Sequence, residues 1–95
     1  MESQNYLVII EPTQTGFSAY SPDLPGCITV GNGVEETREH MQEAIELYLE
    51  ELQESGETMP VPKKLTDQIN TIGALQRGIF IAFIPNHVEP AAKSA

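Results

Sequence analysis

The spacing of apolar residues changes at the Gly-Asn-Gly segment of residues 31–33, and this change constrains the fold more than any other feature of the chain. Before it, short apolar runs are separated by proline and glycine, which is the pattern of β-strands joined by turns. After it, apolar residues recur every three or four positions: Val34, Met41, Ala44, Ile45, Tyr48, Leu49 and Leu52. This spacing predicts one amphipathic helix over residues 34–55.

Both ends of this helix carry local signals. Gly33 or Asn32 can cap its start, and the two glutamates that follow Val34 complement the positive end of the helix dipole. Gly56 suits the position after the last helical turn, and two prolines within the next six residues prevent the helix from continuing.

Three short strands are predicted before the helix. Residues 6–10, YLVII, form a continuous apolar run that suits a strand buried on both faces or a central strand. Residues 17–20, FSAY, alternate in polarity and form a hairpin with the first strand through a turn between Pro12 and Gly16. Residues 27–30 form the third strand.

The segment SPDLPG, residues 21–26, reads as a rigid corner between the second and third strands. Pro25 and Gly26 fit the central positions of a type II turn, because proline presets φ and glycine accepts the positive φ that follows. The corner fixes Tyr20, Asp23 and Leu24 at one rim of the sheet, where a partner can be met. Tyr20 can equally be an edge aromatic, and Asp23 can cap its own turn.

The last clear apolar run covers residues 79–84 and predicts a final strand. Residues 65–76 form either a short amphipathic helix, capped by Thr66 or Asp67, or an irregular linker. The resulting order, β-β-β-α-β, predicts an α+β fold in which one sheet packs on one main helix. The rule for crossover connections predicts that the final strand is parallel to the strand it joins, which we expect to be the first.

A chain of 95 residues allows one domain, which we place at residues 1–90, with a frayed tail at residues 91–95. Only a short linker is left to cover the second face of the sheet, so we expect a homodimer or a higher homo-oligomer. The single cysteine excludes an internal disulfide. The first apolar run is too short for a signal peptide or a membrane span, and we expect a cytoplasmic protein.

The formal net charge is −9, with only five basic residues. Direct binding to nucleic acid is therefore not expected, because phosphate contacts need clustered lysine and arginine. Seven glutamates follow the polar side of the predicted helix, and we call them the acidic ridge: Glu36, Glu39, Glu43, Glu46, Glu50, Glu54 and Glu57. The ridge is either a solvated face that maintains solubility or a surface for a basic partner, and charge alone favours the solvated face.

The sequence offers little for catalysis. Cys27 lies next to neither histidine in sequence, and it is better explained as a small apolar residue at the start of a strand. His40 is expected to form an ion pair with the acidic ridge, and His87 has no assigned role. A two-metal nuclease of the ribonuclease H type needs converging strand carboxylates, but the first strand has no acid before Glu11 and the last has none. We predict no catalytic residue, metal or cofactor.

Four quoted segments together resemble the HicB-like antitoxin family: GFSAYSPDLPGC, then GNGVEE at the helix start, then EAIELYLE, and then GETMPVP. The match covers about residues 5–62. The resemblance implies a partial ribonuclease H-like fold and a non-enzymatic role as the antidote of a type II toxin–antitoxin pair. It also implies a basic HicA-like toxin as the partner, a small ribonuclease whose catalytic histidine the antitoxin hides. The resemblance therefore favours the ridge as a binding surface for a basic partner over a merely solvated face.

The chain departs from the family pattern after Pro62. Residues 63–77 look like an insertion or linker before the final strand, and no operator-binding module is recognisable beyond it. The partner-binding residues implied by the corner and the ridge are Tyr20, Asp23, Leu24, Glu36, Glu39, Glu43, Glu46 and Glu50. The alternative is an orphan HicB-like scaffold or small-ligand module that has no toxin.

Overall fold

A four-stranded antiparallel sheet with one long helix against one face forms the part of the chain that the computed structural model describes, residues 5–63, 67 and 78–86. The elements are β1 (Asn5–Pro12), β2 (Phe17–Tyr20), β3 (Ile28–Gly31), α1 (Val34–Glu54) and β4 (Phe80–Pro85). The strand order in the sheet is β3-β2-β1-β4. The predicted α+β class and the element order β-β-β-α-β are confirmed.

Strand β1 is the central strand that its apolar run predicts. Tyr6, Val8 and Ile10 belong to the core on the helix side of the sheet. Leu7 and Ile9 alternate with them and are fully buried on the opposite face. Burial of both faces explains why the run is continuous instead of alternating in polarity.

The corner after β2 consists of two consecutive turns. The Leu24 N–H donates to the Ser21 carbonyl oxygen at 3.1 Å, and the Cys27 N–H donates to the Leu24 carbonyl oxygen at 3.0 Å. Gly26 has a φ of 84°, the left-handed value that the third residue of a type II turn requires. The predicted turn is therefore present, and it leads directly into β3.

Helix α1 ends within one residue of the predicted position. Gly33 is its N-cap, and the Thr37 N–H donates to the Gly33 carbonyl oxygen at 2.9 Å. At the other end Gly56 has a φ of 77°. The Gly56 N–H donates to the Gln53 carbonyl oxygen at 3.1 Å and the Glu57 N–H donates to the Leu52 carbonyl oxygen at 2.8 Å, which together form a Schellman motif.

The main core lies between α1 and the sheet. The helix contributes Met41, Ile45 and Leu49, all of which are buried. The sheet, the corner and β4 contribute Tyr6, Val8, Ile10, Ala19, Leu24, Cys27 and Ile84. Each large apolar side chain buried in this way stabilises the fold by about 1.5–3 kcal/mol, so the inner side of α1 holds the sheet and helix together.

The direction of β4 corrects the sequence prediction. It joins β1, as expected, but it pairs antiparallel, with Asn5 opposite Pro85 and Ile10 opposite Phe80. After α1 the chain lies at the end of the sheet where β1 begins, because the Tyr6 hydroxyl donates to the Pro60 carbonyl oxygen at 2.6 Å. Strand β4 begins at the opposite end of the sheet, where Phe80 lies opposite Ile10, so the crossover rule for a strand that is entered directly from the helix does not apply.

The insertion predicted over residues 63–77 and the short helix or linker over residues 65–76 lie largely outside the described residues. The tail at residues 91–95 and His87 lie wholly outside them. These predictions stay open.

Candidate protein-binding site

The acidic ridge occupies the side of α1 that faces away from the sheet. A helix turns about 100° per residue, and the buried residues Thr37, Met41, Ile45 and Leu49 mark its inner side. Six ridge glutamates fall on the opposite side, and Glu57 follows the helix end. Glu39, Glu43, Glu50, Glu54 and Glu57 are exposed, whereas Glu36 and Glu46 are half-buried.

Internal cations neutralise little of the ridge. Arg38 pairs with Glu35, Nε to Oε1 at 3.4 Å, and Glu35 is not a ridge residue. His40 Nε2 lies 3.7 Å from Glu36 Oε2, on the acidic ridge predicted to pair with this histidine, and the contact is an ion pair when the imidazole carries a proton. Across the described residues, Glu36 is the one ridge glutamate that takes part in an ion pair. In the part of the chain that the structure describes, the other ridge carboxylates have no basic side chain within ion-pair distance.

The corner residues do not extend this acidic surface. Tyr20 is half-buried and lies opposite Ile9, on the sheet face that α1 does not cover. Burial, and secondly the carboxylate of Glu11, raises the pKa of the Tyr20 hydroxyl. The structure therefore places Tyr20 and the ridge on different faces of the molecule.

Asp23 and Leu24 have structural roles that the sequence prediction missed. The Asp23 carboxylate accepts a hydrogen bond from the Lys63 N–H at 3.2 Å, which ties the segment after α1 to the corner. Leu24 is fully buried in the core. The Leu24 side chain thus has no exposed surface to offer a partner, and its assignment as a partner-binding residue is corrected on that ground.

A shallow groove between α1 and the start of β3 was not predicted. Its volume is about 240 Å³. The lining residues, which we call the anchor groove, are Gly26, Cys27, Ile28, Ala44, Leu47, Tyr48 and Glu51. The Tyr48 hydroxyl donates to the Pro25 carbonyl oxygen at 3.0 Å and so connects the helix to the corner. The one sequence signal for this groove is Leu47, an apolar residue among glutamates that is 62% exposed.

Cys27 and His40 have local structural contacts. The Cys27 side chain is 4% exposed, and burial raises the pKa of its thiol, which keeps it protonated at neutral pH. The His40 Nδ1–H donates to the Val30 carbonyl oxygen at 2.8 Å, at the edge strand β3. Within residues 5–63 and 78–86, no three histidine, cysteine or acidic side chains are grouped to hold a metal ion. No described helix has the length and apolar content that a bilayer crossing requires.

Comparisons with known proteins give one consistent family. A family model described as "HicB_like antitoxin of bacterial toxin-antitoxin system" matches residues 6–88. A UPF0150 protein of Synechocystis sp. is 43% identical over 61 residues, which are 63% of this chain and 75% of the relative. A UPF0150 protein of Thermoplasma acidophilum is 38% identical over 56 residues, which are 58% of this chain and 81% of the relative.

Two solved structures share the fold. A crystal structure of the antitoxin HicB3 matches with a TM-score of 0.70 and 28% identity, over 92% of this chain and 63% of that chain. A chain of the HicA3 and HicB3 toxin–antitoxin complex matches with a TM-score of 0.68 and 28% identity, over 90% of this chain and 99% of that chain. These matches agree with the sequence motifs and confirm the resemblance. The chain belongs to the HicB-like antitoxin family of bacterial toxin–antitoxin systems.

Proposed function

We propose that this chain neutralises a small, basic, mRNA-cleaving toxin of the HicA type by binding over the toxin's active site. The observation that carries the proposal is the acidic ridge, which faces away from the sheet and has one ion-paired glutamate, Glu36, among the described residues. The proposed mechanism is binding alone, so this chain makes and breaks no covalent bond.

The ridge destabilises the isolated helix, and this favours a functional explanation over mere solubility. Successive ridge glutamates on α1 lie three or four residues apart. Each like-charge pair at this spacing costs about 0.2–0.5 kcal/mol. The last turn of α1 also contains no basic residue, so acids there oppose the helix dipole. A cationic partner relieves this repulsion.

The chemistry of the proposed toxin supplies such a partner. A ribonuclease binds RNA through cationic groups that contact phosphates. A helix rises about 1.5 Å per residue, so the ridge from Glu36 to Glu54 presents carboxylates along about 27 Å. Carboxylates seated on the toxin's cationic surface compete with RNA for that surface. Charge complementarity also accelerates association and disfavours wrong partners.

The structural comparison supports the same partner class. The matched chain comes from a structure of the HicA3 and HicB3 toxin–antitoxin complex, and the match covers 99% of that chain. Transfer of that partnership to this chain is the proposal, and it rests on the shared fold together with the ridge.

A second candidate function, a homo-oligomeric scaffold without a toxin, is favoured by the apolar edge of the sheet at β4. Phe80, Ile81 and Phe83 are 48%, 40% and 46% exposed. Strand β4 is an edge strand and contains no charged residue to discourage pairing with another strand. A homodimer formed through this edge leaves the ridge free, so it is compatible with toxin binding. The scaffold is the whole function only if the ridge binds nothing.

Co-expression with a small basic protein of the HicA type, taken from the reading frame adjacent to this chain where that frame encodes one, tests the proposal. We expect rescue of growth, co-purification, and an affinity that falls as salt concentration rises. The variants Glu43→Lys and Glu46→Lys should each weaken binding by about five- to tenfold. Glu11→Lys changes the net charge equally but lies at the end of β1, away from α1, and serves as the matched control.

The outcomes separate the two candidates. Ridge-specific loss of binding supports neutralisation of a basic toxin. Equal effects of Glu11→Lys and the ridge variants mean that net charge, and not the ridge, attracts the partner. A chain that self-associates, binds no basic neighbour and restores no growth fits the scaffold, and the antitoxin proposal is then wrong.

A further inference from the structure

We propose that the anchor groove binds one apolar side chain of a basic partner segment, so that the acidic ridge and the groove act as a single docking surface. This inference rests on the proposed function and names the part of the surface that gives it specificity. The occupant is a segment in which an apolar residue is flanked by lysine or arginine.

The groove is preformed by contacts on both of its sides. On one side, the type II turn fixes Gly26, and Cys27 is buried in the core. On the other side, the hydrogen bond to Pro25 holds the Tyr48 hydroxyl, and with it the tyrosine ring. A partner side chain that enters this groove does not have to order its walls, which lowers the entropic cost of binding.

The size of the groove selects the class of occupant. Sites for cofactors and drug-sized ligands have volumes of about 300–1,000 Å³. The anchor groove, at about 240 Å³, is smaller and opens to the surface. Its lining side chains are apolar apart from the Glu51 carboxylate and the Tyr48 hydroxyl. These properties suit a single protein side chain that projects from a segment lying across the surface.

The charged residues around the groove determine which partner residues can flank that apolar side chain. Leu47 is the one large apolar side chain of α1 that is exposed. Glu43, Glu50 and Glu51 lie one helical turn from it, at the i−4, i+3 and i+4 positions. An apolar spot enclosed by acids has the anatomy of an interface core with a charged rim. The complementary partner has an apolar centre and a basic rim.

A second copy of this chain does not meet that requirement. The net charge of the chain is −9, so self-association through α1 would bring glutamates of one copy against those of the other. The uncharged edge at β4 is the better surface for self-association. The groove is therefore assigned to a basic segment of a different protein.

Two synthetic peptides provide the first test. One alternates leucine with lysine, and the other replaces every leucine by serine, so the charge of the two peptides is equal. Binding of each to the full chain is measured by calorimetry at low salt, and contacts are mapped by NMR shifts of the Ala44 and Leu47 methyl groups. We expect the leucine peptide to bind about tenfold more tightly and to shift these methyl groups.

A matched pair of variants of this chain provides the second test. Leu47→Ser should reduce binding of the leucine peptide to the level of the serine peptide. Val61→Ser removes another exposed aliphatic side chain, 70% exposed and outside the groove, and should leave binding unchanged. Both positions are exposed, so unfolding midpoints close to that of the unmodified chain are expected for each variant.

The possible results distinguish this inference from the proposed function. If both peptides bind with equal, salt-dependent affinity, the groove is not an anchor, although the ridge still attracts cations. If Leu47→Ser and Val61→Ser have equal effects, the groove assignment is overturned as well. If neither peptide binds at low salt, the ridge itself does not attract basic segments, and the proposed function loses its main support.

Discussion

Replacement of Glu50 by lysine is expected to stabilise the isolated chain while it weakens binding to a basic partner. Glu50 is exposed on α1, one turn after Glu46 and one turn before Glu54. A like-charge pair at i,i+4 costs about 0.2–0.5 kcal/mol, and an opposite-charge pair stabilises the helix by a similar amount. Two such pairs change sign in Glu50→Lys. The pair with Glu54 has the less favourable order, lysine before glutamate, so we expect a gain of about 1 kcal/mol in total.

Thermal and urea denaturation followed by circular dichroism measure this gain. In a domain of this size, about 1 kcal/mol raises the Tm by about 4–8 °C. Most of the shift should disappear at about 1 M NaCl, where the Debye length is about 3 Å. Glu50→Gln is the matched control, because it removes the repulsion without adding attraction, and it should give about half of the gain.

A Glu50→Lys variant that is no more stable than the unmodified chain at low salt would refute the reasoning, because the ridge would then not repel itself. A gain that persists at high salt would assign the effect to packing or helix propensity instead of charge. If the gain is found together with weaker partner binding, lysine at position 50 is better for stability and glutamate is better for binding. Such a trade-off is typical of residues kept for function.

Three further substitutions or conditions test the fold. Gly31→Ala should destabilise the chain by about 1–3 kcal/mol in urea denaturation, because a Cβ at Gly31 would overlap the Thr37 hydroxyl oxygen and lie 3.0 Å from the Thr37 Cα; a neutral result would mean that β3 and α1 separate easily. Tyr6→Phe should cost about 1 kcal/mol, since it removes the hydrogen bond to Pro60; no loss would show that this bond does not hold the segment after α1. Burial raises the pKa of Cys27 above the ordinary 9.0, so the folded thiol keeps its proton where the unfolded one loses it. The contribution of Cys27 to stability should therefore be constant below about pH 9 and be lost as the pH rises above it, and Cys27→Ala should reduce the loss of stability in that range.

Local signals were sufficient to predict the described strands and the helix, with each end within two residues of its observed position. Gly33 and Gly56 bracket a helical period, and α1 occupies the residues between them to within one position. The continuous apolar run of β1 predicts burial on both faces, because a strand with one face in water would alternate apolar and polar residues. Residues 6–10 are buried on both faces. In both examples the prediction concerns the same residues that carry the sequence signal: the two glycines at the helix ends and the apolar residues of β1.

The direction of β4 and the roles of the corner residues depend on contacts between distant parts of the chain. Whether β4 is parallel or antiparallel to β1 depends on how often the chain crosses the sheet after α1, and an ambiguous apolar pattern over residues 65–76 does not determine that number. Asp23 binds the backbone of Lys63, 40 residues later in the sequence. Tyr48 binds that of Pro25, 23 residues earlier. No periodicity or turn signal specifies such pairs.

The position of the ridge was predictable because the residues of a helix that do not belong to its buried apolar side are exposed. Once Met41, Ile45 and Leu49 are assigned to the core, helical geometry alone places the glutamates on the outer side. The anchor groove was not predictable in this way, since it requires the relative position of α1 and the corner. Leu47 departs from the pattern of its surroundings, and such a departure marks a residue for inspection without saying what it contacts.

The corner joins the fold to the candidate site. The same turn that directs the chain from β2 into β3 supplies Gly26 and Cys27 to one wall of the anchor groove, and Pro25 accepts the hydrogen bond that holds Tyr48 in the other wall. Leu47 in the other wall lies on the same helix as the ridge, so the spacing between the ridge and the groove is set by α1 itself. A partner with a basic rim and an apolar centre meets both features at fixed spacing, which allows it to be distinguished from cationic proteins that match the charge alone.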